Sequence, residues 1–400
     1  VRSAKEANMA GEFDEGALLA EARERAGLSD FGDESFRPPL RVLLRSLREA
    51  PLNAGGRAGQ HERLVASLAM RLAFHHACQQ HPEILEEQIA APLVVVGQAR
   101  TGTTRLHRLL ASDPGLFAAR WWEVRSPAPP PQVLAAPGAP DPRIAEAHEQ
   151  VRWILETQPV LASIHPWDAE APDEEIMLAE HSFLSHVPES GAHLPAYRSW
   201  LDSQDFAPSY DYTKRLLQFL QWQKRRRGES AERWVLKTPQ HLGYLELLFA
   251  TFPGALVIQT HRDPLETIPS VASMYAALWG LSQDQVDFHE VGRQCLERYA
   301  WAMRRGLAAR ERMPPERFCD VWFRDVGRDA LGQVRRIYAA AGRALGAEAE
   351  AAMSAWLRDN PRDARPMHEY SLEKFGLSEE AIAEKFADYR ARFILPRAQV

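Results

Sequence analysis

Apolar, β-branched runs and stretches of helical period take turns along the chain from residue 93 onward. The run Leu93-Val-Val-Val96, bounded by Pro92 and Gly97, shows no polar alternation. A strand covered on both faces reads this way, so the run predicts a buried parallel strand. Comparable runs predict strands at 233–237, 255–260 and 318–323. Helical periodicity predicts helices at 16–25, 41–47, 62–80, 142–157, 211–225, 241–251, 286–312, 328–343, 347–357 and 378–392. Two more end at His181 and run through Ser270 to Leu278. Asn53-Ala-Gly-Gly-Arg57 reads as a break before the third helix. Strands alternating with helices imply an α/β protein whose central parallel sheet carries helices on both faces, three layers in all. Residues 1–88 read as a helical N-terminal extension and 89–400 as the α/β domain, ending in a helical C-terminal segment.

The first strand leads into Gly97-Gln-Ala-Arg-Thr-Gly-Thr-Thr104. Leu106, Leu109 and Leu110 then take helical spacing, and Asp113-Pro114 ends the helix. A strand, a glycine loop and a helix N-terminus make a setting for an anion: backbone N–H groups point into the loop and the helix dipole favours negative charge. The Gly97–Gly102 spacing matches the start of the P-loop pattern G-x-x-x-x-G-K-[ST]. Thr103 stands where the lysine belongs, so the group that reaches the outer phosphates of ATP or GTP is missing. Arg100 supplies a cation inside the loop, and Thr101, Thr103 and Thr104 supply hydroxyls. On the loop alone, a plain strand–turn–helix connection with a capping threonine remains an alternative.

A second stretch changes that balance. Trp234-Val-Leu-Lys-Thr-Pro-Gln-His241 places Lys237 at the end of a predicted strand, where open α/β sheets bind their ligands. Further on, Arg262 falls at the end of the 255–260 strand, Asp263-Pro264 turns the chain, and Ser270 follows eight residues after Arg262. An arginine at a strand end and a hydroxyl early in the next helix can share one phosphate. The alternative for Arg262 is a salt bridge to Asp263 or Asp325.

Together the two stretches resemble the sulfotransferases that use 3′-phosphoadenosine-5′-phosphosulfate (PAPS), in a P-loop-type fold. The arginine form of the loop, Arg100-Thr-Gly-Thr-Thr104, is closer to the tyrosylprotein and bacterial branch than to the cytosolic enzymes. The resemblance extends upstream to Leu28-Ser-Asp-Phe-Gly-Asp33 and downstream to His368-Glu-Tyr-Ser-Leu-Glu-Lys-Phe-Gly-Leu377. Ala99 stands where a proline is common, and Phe323-Arg324-Asp325 where many relatives have Tyr-Glu-Asp. The resemblance implies PAPS as sulfate donor. Arg100, Thr101, Gly102, Thr103 and Thr104 would hold its 5′-phosphosulfate, and Arg262 and Ser270 its 3′-phosphate. It also implies a hydroxyl acceptor, with residues of about 125–210 forming the acceptor-site insertion.

Sulfuryl transfer needs in-line positioning, charge neutralisation at the leaving oxygen and a base for the incoming hydroxyl. Lys237 and Arg100 are the candidates for charge neutralisation. Glu123, 23 residues beyond Arg100, resembles the glutamate base of the tyrosylprotein branch, and Trp121 and Trp122 would desolvate it and raise its pKa. A surface glutamate in a salt bridge is the plain alternative. His241, His165 and His261 are rival bases; His241 is the strongest of them and His261, next to Arg262, reads as structural. Trp121, Trp122, Trp153 and Trp167 suggest an apolar or aromatic small-molecule acceptor, although such residues also build cores. Asp173-Glu-Glu175 reads as the acidic first turn of a helix, and Lys224-Arg-Arg-Arg227 as solvated cations at a helix end.

Composition narrows the classes. A net charge of −6 disfavours a nucleic-acid partner. Cys78, Cys295 and Cys319 are scattered, without disulfide or metal-ligand spacing, which fits a reducing, cytoplasmic setting. No apolar run approaches the roughly 18 residues of a membrane span, and Val1-Arg-Ser-Ala-Lys-Glu6 has no signal-peptide core. The already activated donor requires no metal. A P-loop kinase-like phosphotransferase and a catalytically inactive nucleotide-binding scaffold remain the alternatives.

Overall fold

The structure is a computed structural model that describes residues 13–136, 138–164, 166–361 and 371–397. Among these residues, five parallel strands form the sheet: β1 (Leu93–Gly97), β2 (Leu116–Phe117), β3 (Arg233–Lys237), β4 (Leu256–His261) and β5 (Phe318–Trp322). Their order is β2-β3-β1-β4-β5, which puts β1 at the centre. Val95 lies opposite Lys237 and Gly97 opposite Thr260, so the loop after β1 begins between the ends of β3 and β4. The two-residue β2 has no counterpart among the strands expected from sequence. It pairs Leu116 with Arg233 and Phe117 with Trp234.

Alternate residues of the strands feed two different apolar layers. Val94, Val96, Trp234, Leu236 and Val257 join one large cluster with Leu18, Leu40 and Leu68 of the N-terminal helices. Leu93, Val95, Val235, Ile258 and Val321 join a second cluster with Leu106, Leu109 and Leu110 of the loop helix and Ile337 and Met353. Every residue of β1 is therefore buried, which explains its unbroken apolar run. The helices of the first 88 residues share their core with the sheet.

Several helices depart from the expected bounds for local reasons. The helix Ala54–Gln80 starts inside the supposed break, because Asn53 caps it by accepting from the Gly56 N–H at 2.7 Å. Gly56 is required there: a Cβ would sit 2.2 Å from the Ser282 carbonyl oxygen. The expected 378–392 helix is broken into Glu379–Lys385, Ala387–Tyr389 and a π-turn at Arg390–Ile394. That turn brings Arg390 onto the Asp263 carboxylate at 3.0 and 3.1 Å. The 241–251 helix is a 3₁₀ turn, Pro239–Gly243, followed by Leu245–Thr251. The helix Pro142–Thr157 has the expected bounds, capped by Asp141. Around it the 125–210 segment holds further short helices, among them Pro131–Ala135, Ile176–Glu180 and Pro195–Leu201. Among the described residues no helix is long and apolar enough to cross a membrane.

Candidate active site at the carboxyl ends of the strands

The loop after β1 is shaped by close approaches that leave no room for other residues. A Cβ on Gly97 would lie 2.2 Å from Thr260 Oγ1. Gly102 has φ +87°, and a Cβ there would lie 2.9 Å from the Phe323 ring. Arg100 adopts φ +73°, a left-handed conformation uncommon outside glycine. Thr101 braces this bend from within: its hydroxyl donates to the Gln98 carbonyl at 2.6 Å and pairs with Thr260 Oγ1 at 2.6 Å. Thr101 is thereby a support for the loop and not one of its outward hydroxyls. The helix Thr103–Leu110 has no side-chain cap, so its first N–H groups are left for an anion.

The end of β3 meets this loop. Lys237 is fully buried, and its Nζ lies 3.3 Å from Thr104 Oγ1. The same ammonium is ion-paired with Glu174. The end of β4 meets the loop from the other side. Arg262 donates through Nη1 to the Arg100 carbonyl at 3.1 Å and through Nε to Glu266 at 2.8 Å, and lies 4.3 Å over the Phe323 ring. Neither Asp263 nor Asp325 is its partner in these contacts: Asp263 binds Arg390, and Asp325 binds Arg397. Arg100 in turn donates from Nε to Ser270 Oγ at 3.1 Å and bonds the Ile164 carbonyl. The two sequence stretches, with Arg100 and Ser270 170 positions apart, thus share one cleft.

Glu123 occupies a different place, and its surroundings do not fit the base expected there. It is fully buried, with Lys224 Nζ at 2.9 Å, Arg227 Nη2 at 3.0 Å and the Arg120 N–H at 2.8 Å. Burial pushes its carboxyl up, but Lys224, the Arg120 N–H and Arg227 outweigh this and hold it below the usual range. A carboxylate so engaged is a poor proton acceptor. Lys224, expected to be solvated, is 1 % exposed for the same reason. His241 is likewise occupied: Nε2 pairs with Glu175 Oε1 at 2.7 Å and Nδ1 with the Tyr210 hydroxyl at 2.7 Å. His261 is held between Asp320 and Tyr389. His165 lies outside the described residues, as do residues 368–370 of the downstream match.

Two residues read from sequence as helix-start acids belong to the site. Glu175 accepts from the Lys237 backbone N–H at 2.8 Å and fixes His241, so it ties the end of β3 in place. Glu174 reaches Lys237 Nζ itself. Burial pushes the Glu174 carboxyl up against the pull of Lys237, and the neighbouring Asp173 and Glu175 carboxylates add to the rise. The available signal was density: three consecutive acids precede a helix of only five residues, Ile176–Glu180.

A cavity of about 770 Å³ opens beside these groups. Ala99 of the loop, Glu174 and the Thr238, Pro239 and Gln240 that follow Lys237 form one wall. Trp121, Trp122, Trp167, Met177, Met274 and Leu278 make much of the rest. Trp153, 55 % exposed, also borders it. The indole N–H groups of Trp121 and Trp122 and the Gln240 side-chain oxygen are buried without hydrogen-bond partners among the described residues. The surface of the cavity is mostly apolar, and charged groups such as Arg63, Arg125, Arg143 and Arg298 also border it.

Comparison with known proteins agrees with this geometry. The sequence profile described as the Sulfotransferase family matches residues 92–346. The crystal structure of sulfotransferase STF1 from Mycobacterium tuberculosis H37Rv superposes with a TM-score of 0.80 at 32% identity, covering 94% of this chain and 98% of that one. Sulfotransferase STF9 from Mycobacterium avium gives a TM-score of 0.83 at 31% identity, with 95% and 96% covered. Omega-hydroxy-beta-dihydromenaquinone-9 sulfotransferase Stf3 from Mycobacterium bovis is 28% identical over 257 residues, 62% of this chain. The match spans 61% of that curated relative's length. The chain belongs to the sulfotransferase family.

Proposed function

We propose that this member of the sulfotransferase family moves the sulfuryl group of PAPS to the hydroxyl of an apolar small-molecule acceptor, an alcohol or phenol. The observation that carries the reading is the contact chain Ser270–Arg100–Arg262, which brings two anion-holding groups to one cleft beside Lys237. In this reading the N–H groups of Gly102, Thr103 and Thr104 and the Thr104 hydroxyl hold the 5′-phosphosulfate. Arg262 and Ser270 hold the 3′-phosphate. Lys237, already against Thr104, neutralises the oxygen that leaves with the nucleotide, and Arg100 adds positive charge beside it. The acceptor oxygen forms the new bond to sulfur as the bond to the phosphate oxygen breaks, and the electron pair leaves with that phosphate.

The acceptor assignment rests on the cavity, which adjoins the loop and is walled by tryptophan, methionine and leucine. The 125–210 segment and the N-terminal helices both contribute to its walls, Met177 from one and Met70 from the other. The hydroxylated menaquinone in the name of the Mycobacterium bovis relative is an acceptor of this kind. No step calls for a metal. Cys78, Cys295 and Cys319 are free thiols, as in a cytoplasmic enzyme.

Incubation with ³⁵S-labelled PAPS and a panel of long-chain alcohols, phenols, sugars and amines tests the reading. Label should pass to apolar hydroxyl compounds and leave 3′-phosphoadenosine-5′-phosphate behind. Magnesium-dependent ATP turnover would favour a phosphotransferase. Tight nucleotide binding with no transfer would favour a scaffold.

A further inference from the structure

We propose that Glu174 is the base that takes the acceptor's hydroxyl proton, and that its pairing with Lys237 is a resting contact broken when the donor fills the loop. The inference rests on the sulfotransferase reading given above. Glu174 is 23 % exposed, unlike the sealed Glu123, and lines the acceptor cavity next to the Lys237 strand end. Of the other carboxylates lining the cavity, Glu62 is committed to Arg25, Glu180 to Arg63, and Glu189 to His186 and Arg298. Asp173 and Glu146 border it too, but it is Glu174 that touches Lys237 at the mouth of the loop.

The ammonium of Lys237 stands between Glu174 and Thr104 at the mouth of the loop. A negative leaving group held by the loop competes with Glu174 for that ammonium. Once Lys237 turns to the leaving oxygen, Glu174 loses its counter-charge while keeping its crowded, poorly solvated site. Its basicity rises at the moment a proton must be accepted. The proton passes from the acceptor O–H to the Glu174 carboxylate as the oxygen–sulfur bond forms. It then leaves to solvent by the exposed edge of the residue. The charged groups that face Glu174 are Lys237, Asp173, Glu175 and Arg125, with the Tyr299 hydroxyl also near. Two of these are anions, which oppose its ionisation and favour proton uptake.

The test compares wild type with Glu174→Gln and Glu174→Asp for sulfate transfer across pH and for binding of 3′-phosphoadenosine-5′-phosphate. In Glu174→Gln, turnover should fall by about 10²- to 10⁴-fold. Nucleotide binding should stay equal or tighten, since Lys237 is released. The wild-type rate should rise with pH as the carboxyl ionises, and that rise should vanish in Glu174→Gln. Glu174→Asp should restore part of both. Turnover within about threefold of wild type in Glu174→Gln, or a loss of nucleotide binding as large as the loss of turnover, would overturn the assignment. A wild type that neither binds the nucleotide nor transfers sulfate would remove the reading on which the assignment stands.

Discussion

The glutamate–lysine pairs Glu123–Lys224 and Glu174–Lys237 have opposite characters. The first is sealed, 0 % and 1 % exposed, with a second cation and a backbone N–H also on the carboxylate. The indole of Trp122 lies under both Arg143 and Arg227 beside it. The second pair shares its lysine with the anion loop and its glutamate with a cavity. Identical side chains therefore give a sealed strut in one place and, in the proposed reading, reactive groups in the other. What separates them is how fully the carboxylate is saturated and whether anything else can reach it. The shifts follow suit, with Glu123 held down and Glu174 pushed up.

Substitution at each pair should break this contrast in different observables. The largest effect belongs to Lys237→Met, which should cut turnover on the order of 10³-fold, read as initial rates, with the fold intact by circular dichroism. Next comes Glu123→Gln. Removing one partner of a buried ion pair costs about 3–5 kcal/mol, to be read from urea unfolding, while the folded fraction keeps its turnover. Lost turnover at undiminished stability would return the base to Glu123. A smaller effect is expected at the cavity: Met274→Ala should raise the acceptor KM about fivefold through lost apolar contact and leave the donor KM alone.

The smallest effect is in the pH dependence of stability, where the two carboxyls should act with opposite sign. Glu123, with its folded pKa depressed, contributes stability that is present above the unfolded value and lost as pH falls through the folded one. Glu174, with its folded pKa raised, holds its proton longer in the fold. Its contribution therefore weakens as pH rises from the unfolded to the folded value. Urea midpoints of wild type, Glu123→Gln and Glu174→Gln across the acid range check both slopes. Slopes of the same sign would dissolve the contrast.

The loop and the strand ends around it were legible because their signals are local. Four apolar residues, two glycines at fixed spacing and an arginine at a strand end each follow from a few neighbouring positions. Gly97 and Gly102 are glycines because Thr260 and Phe323 come too close for anything larger. The surroundings of the two glutamates do not follow from local sequence because their partners are remote, Lys224 at 101 residues from Glu123 and Lys237 at 63 from Glu174. Seen alone, Glu174 looks like a helix-start acid and Lys224 like a helix-end cation. Only packing assigns one to the cavity and the other to the interior. The helix 54–80 runs longer than its periodicity predicts for a similar reason, because Gly56 answers to Ser282, far along the chain.

One nucleotide should bridge Arg262 and the Arg100 loop. Calorimetric titration of wild type and Arg262→Ala with 3′-phosphoadenosine-5′-phosphate and with adenosine 5′-phosphate measures this directly. The wild type should prefer the 3′-phosphorylated nucleotide by at least tenfold, from charge-assisted hydrogen bonds worth about 1.5–3 kcal/mol. Arg262→Ala should erase that preference and bind adenosine 5′-phosphate as the wild type does. Equal affinity of the wild type for the two nucleotides, or equal losses for both in Arg262→Ala, would contradict the account.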